Sequence, residues 1–148
     1  MARNTIDIQA SPDDVWALLE DPYAYPRWVV GTDRTLEADA DFPAPGTSFQ
    51  VHLGLGLKDR TTVRELDPVG RRIVLDAAAG IFGPARVTID LRPADGGTRV
   101  VLLEEPAGKV APLRHLPPVH WLIRLRNAEG LRRLERLALG GAGNGRTG

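Results

Sequence analysis

From residue 47 to residue 105 the chain alternates apolar and polar positions, broken only by turn signals, and after that run one segment alone reads as a long helix. Alternation with period two buries one face of each strand, and a face so built needs a cover. Residues 47–57 set Phe49, Val51, Leu53, Leu55 and Leu57 on one side, with Gln50 and His52 on the other. Residues 60–66 form the next strand, and Asp67-Pro68-Val69-Gly70 a turn. Ile73, Leu75 and Ala77 then oppose Arg72 and Asp76, while Val87, Ile89 and Leu91 oppose Arg86, Thr88 and Asp90. Asp95-Gly96-Gly97 is a strong hairpin signal ahead of a last strand over 98–105. The pattern predicts an antiparallel meander.

Upstream, Ile6 and Ile8 mark a short strand over 3–9, and Ser11-Pro12-Asp13-Asp14 opens a helix. Ser11 can cap it, Pro12 is tolerated in the first turn, and Asp14 suits the positive helix end. Val15, Trp16, Leu18 and Leu19 give that helix an apolar face, Asp21-Pro22 breaks it, and residues 23–28 form a second short helical turn. A strand-like run over 29–37 leads to the proline-rich DFPAPG at 41–46. Pro106, Pro112, Pro117 and Pro118 hold 106–118 out of regular structure. The long helix is expected over 119–139, with Leu122, Leu125, Ala128, Leu131, Leu134 and Leu137 at every third position. At 3.6 residues per turn such a stripe drifts by about 60° at each step. That drift suits a helix wrapping a curved surface, or one bent near Asn127 and Gly130. The Gly-rich stretch 140–148 reads as a disordered tail, leaving a single domain over 1–139. The resulting α+β order is strand, two short helices, about six strands, long helix, and a curved sheet gripping one helix leaves a natural hydrophobic pocket between them.

Composition narrows the functions open to such a domain. Nineteen basic and nineteen acidic residues cancel, which argues against nucleic acid as a partner. The absence of cysteine excludes disulfides, thiolate nucleophiles and cysteine-ligated zinc. No stretch approaches the ~18 apolar residues of a transmembrane segment, and the first residues lack a basic-then-apolar secretory run. The expectation is a soluble cytoplasmic protein, monomer or homodimer. Charge is uneven along the chain, with 8 basic and 2 acidic residues over 109–148. Arg124, Arg126, Arg132, Arg133 and Arg136 share one segment, which reads as a solvated face, with a partner-binding or membrane-contact helix as the alternative.

Several local motifs carry a resemblance. IDIQASPDDVWALLEDPYAYPRWVVG at 6–31, FPAPGTSF at 42–49, VRELDPVGRRIVL at 63–75, ARVTIDLRPADGGTRVVLLEEP at 85–106 and RNAEGLRRLERLA at 126–138 occur in order. Together they cover nearly the whole domain, and the chain resembles the polyketide cyclase/dehydrase-like branch of the SRPBCC, or START-like, superfamily. The resemblance implies a helix-grip fold, a seven-stranded curved antiparallel sheet around the C-terminal helix. It also implies a cavity for lipids, sterols, polyketides or other apolar small molecules, without implying one activity.

The chemistry must therefore come from the site. Ser11 reads as a cap and Ser48 as a strand start outside any GxSxG elbow. His52, His115 and His120 lack metal-ligand spacing, so neither a metal nor a cofactor is expected. The glycines of LGLGL at 53–57 have no following Lys-Ser or Lys-Thr, and read as sites of sheet curvature or close backbone approach. On the last strand either Glu104 or Glu105 can face inward, and alignment with the family's inward positions favours Glu104 as an acid–base group. Its bland alternative is a rim carboxylate paired with Arg27 or Arg114. The wall implied by the fold comprises Phe49, Val51, Leu53 and Leu55, then Ile73, Leu75, Val87 and Ile89, then Val100 and Leu102. Trp28, Trp121 and Leu125 join it, with Tyr23 and Tyr25 near the mouth, where an aromatic ring can stack on a flat ligand. The leading expectation is binding of an apolar small molecule. The alternative is a cofactor-independent cyclase or dehydratase working through Glu104.

Overall fold

The structure, a computed structural model, describes residues 2–78, 83–107 and 116–147. The elements are β1 (Ala2–Ile8), α1 (Pro12–Glu20), α2 (Tyr25–Trp28), β2 (Arg34–Ala38) and β3 (Ser48–Gly54), followed by β4 (Leu57–Asp67), β5 (Arg72–Ala77), β6 (Ala85–Ala94), β7 (Gly97–Pro106) and α3 (Pro117–Thr147). The strands form one seven-stranded antiparallel sheet in the order β1-β7-β6-β5-β4-β3-β2. The chain starts at one edge, crosses to the other through α1 and α2, and returns strand by strand. Residues 79–82 and 108–115, the latter including Arg114 and His115, lie outside the described residues.

Local chemistry explains the crossover. The Ser11 hydroxyl accepts a hydrogen bond from the Asp14 backbone N–H at 3.1 Å, and Pro12 occupies the first turn of α1. Asp13 and Asp14 sit at its positive end, while Val15, Trp16 and Leu19 are buried. Thr98 Oγ1 donates to the Ala10 carbonyl at 2.8 Å, tying the start of the crossover to β7. The strand expected over 29–37 begins only at Arg34, because the Val29 carbonyl accepts from the Thr32 backbone N–H and hydroxyl and bends the chain first.

The sheet curves where its register slips. Shifts fall at 35/37 in β2, 52/54 in β3 and 63/65 in β4, each placing an extra residue that bends the strand. The strand expected to run to residue 57 stops at Gly54. Gly54, Leu55 and Gly56 all take positive φ, 95°, 54° and 77°, and turn the chain into β4. The glycines therefore serve a hairpin, and nothing approaches closely at either position.

On α3 the buried face is Ile123, Asn127, Gly130, Leu131, Leu134 and Ala138. The expected every-third stripe is buried at Leu131 and Leu134 and half-buried at Ala128 and Leu137, the latter packed against the core, but fails at Leu122 and Leu125, which are exposed. Steps of three and four residues keep contacts on one side of a 3.6-residue helix, and constant steps of three do not. The helix continues to Thr147, past the expected end at 139, although its last turns are rich in glycine, a poor helix former. Leu131 and Leu134 join Ile8, Leu19, Ile73 and Ile89 as fully buried members of one core. Leu134→Ala is expected to cost about 2–5 kcal/mol in urea unfolding, and Leu122→Ala less than about 1 kcal/mol. Equal losses would mean that the buried face is wrongly assigned.

Candidate functional site

Between the inner face of the sheet and α3 lies a cavity of about 110 Å³. Its wall follows from strand parity. β3 supplies Phe49, Val51 and Leu53; β4 supplies Asp59 and Thr61; β5 supplies Leu75 and Ala77. β6 adds Ala85, Val87 and Ile89, and β7 adds Leu102 and Glu104. Pairing sets these in rows: Val51 opposite Asp59, Phe49 opposite Thr61, and Val87 between Leu75 and Glu104. From the helix side come Tyr25 and Trp28 of α2, the following Val29, Val30 and Thr32, and Arg126, Asn127 and Gly130 of α3.

An aromatic group packs one side. Tyr25 stacks near Trp28 and Phe49 at centroid distances of 5.5 and 4.9 Å, and Phe42 meets Phe49 edge-on at 5.2 Å. The Tyr25 hydroxyl donates to the Leu19 carbonyl at 2.8 Å. Burial, with a smaller push from Asp21, raises its pKa far above the usual phenol range. The Tyr25 hydroxyl is thus anchored to the backbone of α1. Gly130 lets α3 come close to α2, because a Cβ there would lie 3.1 Å from the Trp28 carbonyl oxygen.

The polar end is built around Glu104, which is 4 % exposed. Asn127 Nδ2 donates to Glu104 Oε1 at 3.2 Å, and Arg126 Nη1 stands 3.6 Å from the same oxygen. Arg126 is itself fixed by donation from Nε to the Val30 carbonyl at 2.9 Å. Asp59 is a second buried carboxylate, and its Oδ1 accepts from the Arg60 backbone N–H at 2.9 Å. An apolar chamber with a carboxylate held between an amide and a guanidinium can orient a polar ligand atom or exchange a proton with it. Among the described residues no three His, Asp or Glu side chains gather as metal ligands.

Of the residues singled out from sequence, Trp28, Phe49, Val51, Leu53, Leu75, Val87, Ile89, Leu102 and Glu104 come together at the cavity. Ile73 and Val100 have the expected inward parity but lie in the packed core instead of on the wall. Leu55 is 100 % exposed at the hairpin tip, because the left-handed turn takes it off the strand's parity. Trp121 and Leu125 are exposed on α3, turned away from the buried face. Tyr23 and Arg27 are exposed as well. Glu105 points outward, and His52 pairs with Asp33 at 3.0 Å away from the wall. Arg126, Asn127, Asp59 and Thr61 also line the cavity, and sequence reasoning misses them there. The available signal is Asn127, a polar residue four positions from Ile123 and from Leu131 on the buried stripe.

The cationic end of α3 is largely self-satisfied. Arg132, Arg133 and Arg136 converge on Glu129 at 3.1, 3.3 and 3.2 Å. Their hydrogen bonds and charge hold the Glu129 carboxyl below its ordinary pKa.

A family model described as polyketide cyclase/dehydrase and lipid transport matches residues 2–138. No curated protein sequence matches. Among solved structures, a protein of Thermus thermophilus aligns at 24 % identity and TM-score 0.70, over 95 % of this chain and 97 % of that one. The dynemicin-locus protein DynU16 aligns at 18 % identity and TM-score 0.71, over 95 % of this chain but only 47 % of that one. Ara h 8.0201 aligns at 16 % identity and TM-score 0.71, over 93 % and 96 %. At these identities the structures establish the helix-grip fold and nothing further.

Arg126→Met takes the guanidinium away from a buried carboxylate and is expected to destabilise by up to about 3 kcal/mol. Glu104→Gln keeps an acceptor for Asn127 and is expected to cost about 1 kcal/mol. A urea double-mutant cycle should show the pair costing less than the sum of the two; strict additivity would mean that the two groups are not coupled.

Proposed function

The chain belongs to the polyketide cyclase/dehydrase and lipid transport family, and on that premise we propose that it binds an apolar or aromatic small molecule, lipid- or polyketide-like, in the cavity between the sheet and α3. The observation that carries this reading is a chamber walled by aliphatic and aromatic side chains with its few polar groups gathered near Glu104. Burial of apolar surface supplies affinity there at about 25 cal/mol per Å², and the polar groups supply orientation. The indole Nε1 of Trp28 is buried with no hydrogen-bond partner among the described residues. With less than 1 Å² of accessible surface it is closed to a cavity ligand, and its desolvation is a cost of folding.

Size limits the ligand. At about 110 Å³ the cavity falls short of the roughly 300–1,000 Å³ that encloses drug-sized ligands. A single ring or a short acyl segment fits as the cavity stands; a longer ligand requires α3 and the sheet to part. Native mass spectrometry of the freshly purified protein, followed by denaturing extraction, is expected to recover a stoichiometric apolar molecule. Val87→Trp, which fills the chamber, should lower its occupancy at least tenfold with the fold retained by circular dichroism. Undiminished occupancy in that variant would place the ligand elsewhere.

A second reading, acid–base catalysis on an enolisable polyketide-like substrate, is favoured by one observation: Glu104 is buried on the cavity wall beside a guanidinium. The carboxylate would take a proton alpha to a ketone while Arg126 steadies the developing enolate oxygen. With polyketone mimics, Glu104→Gln should reduce turnover by about 10²-fold or more. Unchanged turnover removes Glu104 from the chemistry.

A further inference from the structure

The outer face of α3 has no part in the cavity. Leu116 precedes the helix, and Trp121, Leu122 and Leu125 in its first turns are all exposed, Trp121 at 61 %. At 100° per residue these three helical positions cluster roughly 180° from Ile123, Asn127 and Gly130. They form a short apolar stripe on the side opposite the sheet, and an aromatic residue this open is a poor fit to water. The sequence around it carries charge of one sign. No acidic residue occurs in the sequence between Glu105 and Glu129, while Arg124 is exposed between Leu122 and Leu125. Arg126 turns inward to Glu104, and Arg132, Arg133 and Arg136 are held by Glu129, so among the described residues of α3 Arg124 is the cation that accompanies the stripe.

We propose that this face docks the protein on an anionic lipid bilayer. The first turns of α3 lie along the interface, with Trp121, Leu122 and Leu125 at the acyl boundary and Arg124 against headgroup phosphates. A second copy of the chain is the poorer occupant. A two-fold contact through this stripe would bring both Arg124 side chains into one interface, with no carboxylate of the stripe to offset them. Attachment is lateral, since no helix among the described residues is long and apolar enough to cross a membrane.

The test uses the tryptophans. Trp16 and Trp28 are buried, so Trp121 is the exposed one of the three. Vesicles of phosphatidylglycerol with brominated chains are expected to quench Trp121 emission saturably, and phosphatidylcholine vesicles much less. Trp121→Phe should lose the quenching, Arg124→Gln should weaken binding about fivefold, and Leu125→Glu at least tenfold. Raising salt should weaken binding of the wild type. Thermal melts of these surface variants should match the wild type, separating docking from folding. Val87→Trp should leave vesicle binding intact, so loss of the cavity ligand and loss of docking are read apart. The proposal is overturned by absence of quenching with anionic vesicles, by an undiminished response in Leu125→Glu, or by concentration-dependent self-association in lipid-free buffer that Leu125→Glu abolishes.

Discussion

One helix has to cover seven strands. At about 4.8 Å per strand, a sheet of that size spans about 29 Å, whereas a helix with its side chains is about 10–12 Å across. The mismatch is resolved in two unequal ways along α3. Toward its C-terminal half, Leu131, Leu134 and Ala138 meet α1, Ile8 and Ile73 in a filled core. Toward its N-terminal half the residues that α3 turns to the cavity are Arg126, Asn127 and Gly130, which are too small or too polar to fill the space, and the cavity persists there. Register slips in β2, β3 and β4 bend the far side of the sheet, so the gap becomes a chamber and not an open trough.

Within that chamber Glu104 is the residue that folding does least to justify. A carboxylate withdrawn from water needs compensation, and here Asn127 and Arg126 supply part of it from α3. Apolar residues of similar volume at these positions would stabilise the domain as well or better. The same low dielectric that makes the group expensive strengthens its interaction with any polar atom brought beside it. Arg126 is in turn immobilised by the Val30 carbonyl, so its guanidinium is oriented before any ligand arrives.

Strand positions were legible because burial of one face imposes a two-residue period. Phe49, Val51, Leu53, Leu75, Val87, Ile89, Leu102 and Glu104 all follow that parity to the cavity wall. How deep a residue sits along its strand was not legible: Ile73 and Val100 share the parity and differ only in which row they occupy, a consequence of where α3 crosses the sheet. The turn at Leu55 was hidden because its leucine continues the alternation, although Gly54 and Gly56 on either side meet the backbone requirement of a hairpin. On α3 two stripes compete. Leu122, Leu125 and Ala128 are as apolar as Ile123 and Leu131, and periodicity cannot rank them when tertiary packing decides.

The two departures on α3 have opposite energetic signs. Asn127 places an amide in an otherwise apolar stripe, and its hydrogen bond to the buried Glu104 carboxylate accounts for it there. Trp121, Leu122 and Leu125 are exposed when folded and also exposed when unfolded, so their apolar character adds little to stability. Folding alone therefore selects neither the polar residue inside nor the apolar ones outside. Departures that local rules do not explain, and that packing does not compensate, gather where a protein meets something other than itself. On this chain both fall within the first turns of one helix, which binds the cavity's carboxylate on one face and presents an aromatic-aliphatic stripe to solvent on the other.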